Sequence, residues 1–419
     1  MSRYEKFQNE VVAGGSVTES DDDELVGGWR GAVGVLGVVG LIAVLAVFNV
    51  WWFVFVVGVL VAIFFHELGH FVTARWTGMK ATQFFIGFGP RLWSFRRGDT
   101  EYGVRALPLG AFVRIIGMNN MDEVPEADEA RTYRQQSFPR RLLVISAGSI
   151  MHMIMAVLLL FAVYSIDGEQ VERTGADIVS ALPGGPADTA GIRGDDVVLA
   201  IGGSAIESPA DLGEAVQRVT PGDTIVFDIM RDGAPISIPV TVAENSDAES
   251  ELQGRPFVGV TSSDVFEKVE HSIGGAAVNS VTDILPTAWE SSKGVIRVLN
   301  PVNVLTHLNG TNDDLSTRPT TLVGVTGLSD DVGDAAGIMG ILFLLAVLNV
   351  FIGVFNMFPL LPLDGGHAAI ATYERIRERD GRRYYADVSK MMPFAMAVMT
   401  VLLFLFASGL YLDITDPIG

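Results

Sequence analysis

Four stretches of the chain contain no charged side chain: 31–65, 142–166, 335–363 and 391–412. Each is long enough for the roughly 20 apolar residues that cross a hydrocarbon core. A wholly soluble, disordered or fibrous protein is thereby excluded. The first run holds 35 residues. As one straight helix it would reach about 52 Å, far beyond the roughly 30 Å of a bilayer core. It is therefore split near Asn49 into helices 30–48 and 51–75, and the remaining runs predict helices at 141–165, 336–363 and 391–412. About five transmembrane helices result.

The segments between them differ in character. Residues 1–27, with the run Asp21-Asp22-Asp23-Glu24, read as a disordered acidic tail; no basic segment leads into a short apolar core, so it is not a signal peptide. Residues 77–117 are rich in Gly, Phe and Arg and alternate in the manner of short strands and turns. The polar insert 168–335 holds most of the net charge of −20. Within it, 175–245 alternates β-like runs with Gly/Pro turns, the pattern of a compact, mostly β domain. Residues 272–308 read as helical, with an apolar side (Trp289, Val295, Ile296, Leu299) suited to a membrane surface. The chain thus divides into 1–27 (tail), 28–76 (first helices), 77–117 (β-loop), 118–167 (linker and helix), 168–271 (inserted domain), 272–335 (helical connector) and 336–419 (last helices).

Basic residues orient this arrangement. Segment 73–141 carries eleven Lys and Arg and 370–390 carries six, against nine in the much longer insert. Both basic loops are expected in the cytoplasm with the N-terminus, and the insert is expected outside the cell membrane. The acidic balance, with only five lysines, excludes nucleic acid as a partner. It also fits a surface kept hydrated in high salt, as in a halophilic archaeon. There is no cysteine, so thiolate chemistry and Cys-ligated metals are excluded.

His66-Glu67-Leu68-Gly69-His70 fits H-E-x-x-H. Residues four apart share a helix face, so His66 and His70 can reach one metal, and Glu67 is placed to take a proton from a water that the metal activates. Two His, one carboxylate and a water around zinc make a hydrolytic site. The motif falls about 22 Å along a helix starting at 51, at a depth where titratable groups are rarely idle. The third ligand expected is Asp364, in Asn356-Met357-Phe358-Pro359-Leu360-Leu361-Pro362-Leu363-Asp364-Gly365-Gly366-His367. It is the carboxylate at the same end of a later span. Pro359 and Pro362 break that helix, and Gly365-Gly366 permits a close backbone approach.

H-E-L-G-H together with N-x-x-P…L-D-G-G, each in a membrane span, resembles the site-2 protease family of intramembrane zinc metalloproteases. The resemblance covers roughly 50–412. Phe71–Gly78 and Ile86-Gly87-Phe88-Gly89-Pro90 resemble the region where the family places a membrane-re-entrant β-loop. Pro108-Leu109-Gly110-Ala111-Phe112-Val113 resembles a strand of that loop, with Ala111 in place of Gly. Gly185-Pro186-Ala187…Ala190-Gly191-Ile192-Arg193-Gly194-Asp195 resembles a PDZ domain of bacterial regulatory proteases, which makes the insert an extracytoplasmic PDZ-like α+β domain. The resemblance implies one Zn2+ ion on His66, His70 and Asp364, with Glu67 as general base. It implies that Asn356 helps hold the substrate or the developing oxyanion, and that Gly87 and Gly89 shape a β-loop that pairs with extended substrate. The substrates implied are transmembrane segments of single-pass proteins in the lipid bilayer. Two departures stand out: Leu361-Pro362 shifts the expected helix break by one residue, and Gly148-Ser149-Ile150-Met151-His152 carries Ser and His where the family has Pro and Asn. His152 is read as a polar contact near the site without ligand status, and His367 as structural.

Two other readings stay open on the residues alone. One is a non-catalytic membrane scaffold working through its PDZ-like domain. The other is a different membrane metallopeptidase with a soluble-facing catalytic domain, of the kind that takes a Glu on a later helix as third ligand. Oligomeric state is open.

Overall fold

The computed structural model describes residues 29–118, 122–245, 253–312, 314–379 and 382–418; the acidic tail expected at 1–27 lies outside them. The chain separates into two compact units, Met1–Ile166 with Ile273–Gly419, and Asp167–Ser272.

In the first unit α1 (Trp29–Phe48) and α2 (Val50–Trp76) meet at Asn49. Its Oδ1 accepts the Trp51 and Trp52 amides at 2.8 and 3.2 Å, satisfying two of the donors that a helix start leaves open. The large apolar side chains Leu36, Val39, Leu41 and Val47 of α1 stay more than half exposed, as side chains facing lipid do.

The segment after α2 forms β1 (Ala81–Arg97) and β2 (Thr100–Ile115), each of which bends into shorter paired segments, in keeping with the short strands and turns expected there. Their register is unusual. Arg97↔Thr100 through Trp93↔Val104 make one hairpin, and Ala81↔Ile115 through Ile86↔Ala111 make another. Phe84, Phe85 and Ile86 also pair with Tyr102, Gly103 and Val104 in rising order. Four segments therefore lie side by side in the order 91–97, 100–104, 81–86, 111–115. The corners are at Gly87 (φ 88), Gly89 (φ 80) and Gly110 (φ 149), where L side chains are strained. A Cβ on Gly87 would lie 2.6 Å from the Leu107 carbonyl oxygen. Segment 111–115 has a ladder partner on one side only among the described residues.

After a linker, α3 (Phe138–Ile166) packs against α2. The second unit then follows. It comprises β3 (Glu169–Ala181), α4 (Pro186–Ala190), β4 (Val197–Ile201), β5 (Ser204–Ala205), α5 (Pro209–Gln217), β6 (Thr224–Arg231), β7 (Ala234–Thr241), β8 (Ala243–Glu244), β9 (Pro256–Phe257) and β10 (Val260–Val269). The main sheet is antiparallel in the order β10-β3-β4-β6-β7, with β5 on β4, over a core containing Ile178, Val198, Phe227, Ile229 and Val240. Asp196 is buried under it. Burial opposes its ionisation, but two 2.6 Å bonds from Arg231 and the Arg193 amide outweigh that and hold its carboxyl below the usual range.

The first unit resumes with α6 (Ile273–Thr282), α7 (Ile284–Val298), α8 (Pro301–Leu308), α9 (Leu322–Asn356), α10 (Asp364–Arg377) and α11 (Met392–Thr415). The expected helical stretch 272–308 is thus three helices; Trp289 and Ile296 are exposed and Val295 is buried. α9 begins well before the expected 336. It is two helical pieces joined at Gly337 (φ 60, ψ −151), the first bearing Asp330, Asp331 and Asp334. The second piece, 338–356, is about 28 Å long at 1.5 Å per residue, close to the thickness of a bilayer core. Its end also differs from expectation: the helix stops at Asn356, ahead of both prolines, and the LDGG motif starts a helix of its own. Among the described residues five helices, α1, α2, α3, α9 and α11, are long and apolar enough to cross a membrane. At their centre α3 packs on α2, α9 and α10.

Candidate metal centre

The last turns of α2 present His66 and His70 on one face, and α10 brings Asp364 to them from nearly three hundred residues away. His66 Nε2 and His70 Nε2 are 3.2 Å apart, and Asp364 Oδ2 is 3.5 and 3.2 Å from them. Tetrahedral zinc with bonds of about 2.0–2.1 Å sets its donors about 3.3 Å apart, so the three atoms have the spacing of one ion's ligands. The tautomer agrees. His70 Nδ1 lies 2.7 Å from the Val144 carbonyl oxygen, an acceptor only, so Nδ1 carries the proton and Nε2 offers its lone pair. Among the described residues Asp364 Oδ2 is buried without a hydrogen-bond partner, as suits an atom meant for a cation. Glu67 Oε1 is 4.0 Å from His66 Nε2, beside the three atoms.

Asp364 reaches this position through a tight reversal. The chain turns between Asn356 and Asp364, with a cis Leu361–Pro362 bond, and the first turn of α10 lies on the turn's backbone. A Cβ on Gly365 would stand 2.2 Å from the Met357 and Phe358 carbonyl oxygens, so only glycine fits.

A cavity of about 210 Å³ opens on the site. His66, Glu67, His70, Asp364, Asn356 and the β2 residue Val113 are among its walls. Asn356 is thus brought to the site. Gly87 and Gly89 do not line this cavity; they turn the sheet's corners, and the edge segment carrying Val113 and Ile115 supplies its strand wall. His152 is fully buried. Its ring centre is 5.0 Å from that of His66, and its Nδ1 is 2.8 Å from Asn349 Oδ1, whose own amide donates to the Leu345 carbonyl at 2.7 Å. It stands outside the three-atom group. His367 lines the cavity one turn after Asp364.

Gly148 has a part at the site that the sequence reading did not assign. A Cβ there would lie 2.3 Å from His66 Cε1 and 2.5 Å from His70 Nε2. Gly69 similarly admits the Ala147 carbonyl oxygen, 2.7 Å from where its Cβ would be. The available signal was a glycine inside an apolar helix, where it costs about 1 kcal/mol relative to Ala. Gly148→Ala is expected to splay the imidazoles and weaken zinc binding by on the order of 100-fold, read by competition with a chelator.

Residues 54–400 match the profile of peptidase family M50. The chain belongs to that family. Among its relatives is the zinc metalloprotease Rip1 of Mycobacterium tuberculosis, 31% identical over 400 residues, covering 87% of this chain and 97% of the relative. Rip1 of Mycolicibacterium smegmatis is 29% identical, with the same shares covered. A crystal structure of the PDZ domain of an SdrC-like protein from Listeria monocytogenes aligns with 22% of this chain and 93% of its own, at 19% identity and a TM-score of 0.20. These proteins are bacterial, and nothing in the comparisons supports the halophilic archaeal origin entertained from the charge balance. This M50 peptidase is a zinc metalloendopeptidase of the site-2 type, and its membrane-length helices fit a membrane protease.

Proposed function

We propose that this M50 peptidase cuts transmembrane segments of single-pass proteins within the bilayer, using His66, His70 and Asp364 as zinc ligands and Glu67 as general base. The observation that carries this reading is the convergence of three donor atoms, with a carboxylate beside them, in a cavity walled by strand edge and membrane-length helices. When bound, zinc would supply Lewis acidity, acidifying a water and polarising a carbonyl. Glu67 takes the proton from the attacking water as the C–O bond forms and the carbonyl π bond opens; it then gives that proton to the amide nitrogen, so that the C–N bond breaks as the carbonyl re-forms. The Asn356 amide, in the same cavity, donates to the carbonyl oxygen as charge develops there.

A transmembrane helix hides its carbonyls in its own hydrogen bonds, and lipid offers no replacements. The unpaired side of segment 111–115 offers them: an unwound substrate can exchange helix bonds for sheet bonds there, next to Glu67. The basic loops are assigned to the cytoplasm with the N-terminus, and the inserted unit, read as PDZ-like, to the opposite side. There it binds a peptide end or excludes bulky ectodomains. The scaffold reading gives no reason for the ligand spacing. The reading with a distant Glu leaves Asp364 Oδ2 against two imidazoles without a task.

Val113→Pro removes an edge amide that bonds Glu67 in the substrate-free chain, and it is expected to slow cleavage of a membrane-embedded reporter about tenfold, the scale of one lost hydrogen bond, with zinc content retained as the control for folding. Cleavage at the native rate with zinc retained would sink the edge-pairing role.

A further inference from the structure

A second cavity, of about 470 Å³, lies at the start of α3. It is lined by Arg134, Arg141, Arg375, Arg383, Tyr384 and Tyr385 among others, and the carboxylate in its lining is Glu378. Four guanidinium groups thus face a space with one acid in its wall. Each already has a contact within the chain. Arg134 pairs with Glu129, Arg141 with Glu374 at 2.5 Å and Arg375 with Glu378, while Arg383 donates to the Gln135 carbonyl at 2.7 Å. In Arg141 a donor is left over. Arg141 is 6% exposed, and its buried Nε has no hydrogen-bond partner among the described residues. A buried donor without an acceptor is costly. The space is many times the roughly 30 Å³ share of a water.

We infer that this cavity binds a phosphate group, and that an acidic phospholipid headgroup is its foremost source. Phosphate offers several acceptors in the geometry that paired guanidinium N–H groups match. Basic pockets among transmembrane helices bind such headgroups. The surroundings favour lipid: Tyr373 and Ile376, flanking Arg375 on α10, are 48% and 74% exposed, and Tyr384 and Tyr385 bring rings of the kind that settle at the membrane interface.

The cavity also touches both helices that organise the metal centre. Arg141 is one turn before Val144, whose carbonyl orients His70, and Glu374 is on α10 with Asp364. A headgroup that engages Arg141 and Arg375 bridges α3 and α10, and so steadies the distance between His70 and Asp364. The binding claim itself does not depend on the peptidase reading.

The test uses the full chain in vesicles of mixed phosphatidylcholine and phosphatidylglycerol, with lipid retained after extraction counted by native mass spectrometry. Each arginine near the surface contributes about fivefold to anionic-lipid binding. The double variant Arg375→Gln/Arg383→Gln should therefore retain roughly 25-fold less phosphatidylglycerol, with phosphatidylcholine retention unchanged. Zinc content and melting temperature report folding; if the double variant unfolds, Arg375→Gln alone, a largely exposed position, replaces it with about a fivefold loss. In a parallel arm inorganic phosphate is added to the detergent-solubilised protein. A rise in melting temperature in the native chain but not the variant, without selective lipid retention, assigns the phosphate to a free anion. Equal phosphatidylglycerol retention by native and variant chains, with no phosphate-dependent shift, overturns the proposal.

Discussion

Replacing Glu67 by Gln should stop peptide cleavage while leaving zinc in the protein. Glutamine keeps the size and polarity of the side chain but cannot accept a proton from water, so the loss falls on the chemical step. General-base catalysis contributes about 10²–10⁴-fold, and a loss of roughly 10³-fold is expected. Glu67 Oε1 is 4.0 Å from His66 Nε2, further than the 3.2–3.5 Å that separates the three donor atoms, so the metal should remain. Cleavage of a membrane-embedded reporter and zinc per chain are the two measurements. Native turnover in this variant would remove Glu67 from the mechanism.

Asp364→Ala should have the opposite signature, losing metal and activity together. Two imidazoles held four residues apart on α2 remain, with water in place of the carboxylate. Loss of a group that only supports a ligand already weakens binding about 10–100-fold, so loss of the ligand itself should exceed 100-fold. A chelator should then strip zinc under conditions where the native chain retains it. Retention of zinc by this variant would instead favour a Glu elsewhere as third ligand. Asp364→Asn separates charge from shape: it keeps one oxygen but no negative charge, and intermediate affinity is expected.

What could be read from residues and what could not follows from how far each feature reaches along the chain. The pairing of His66 with His70 depends only on helix periodicity. The break at Asn49 was visible because one helix would be too long for a bilayer, and Asn is a residue that caps a helix start. Asp364 was a candidate by the end of the span at which it lies, whereas the reversal that delivers it depends on contacts of Gly365 with Met357 and Phe358. The four-segment sheet was illegible for a plainer reason. Phe84, Phe85 and Ile86 pair with two different stretches of β2 at once, and strand alternation carries no information on which partners a strand chooses. Gly87 and Gly89 drew attention as glycines that shape the β-loop, and they stand at its corners, outside the lining of the cavity. Gly148 was noted only as the first residue of the Gly148–His152 stretch and was given no role, because its reason is two side chains from another helix. The early start of α9 was hidden by Asp330, Asp331 and Asp334, whose charges left them in the connector ahead of the apolar run; Asp330 and Asp334 find partners in Asn49 and Trp51.

The inserted unit begins and ends on neighbouring strands, since β3 and β10 pair from Glu169↔Val269 onward. A segment whose two ends are adjacent can be deleted, lengthened or exchanged for another without rerouting the rest of the chain. The arrangement makes that unit a cassette. Evolution can retune that unit while the hydrolytic trunk is left alone, and a protein engineer can graft there for the same reason.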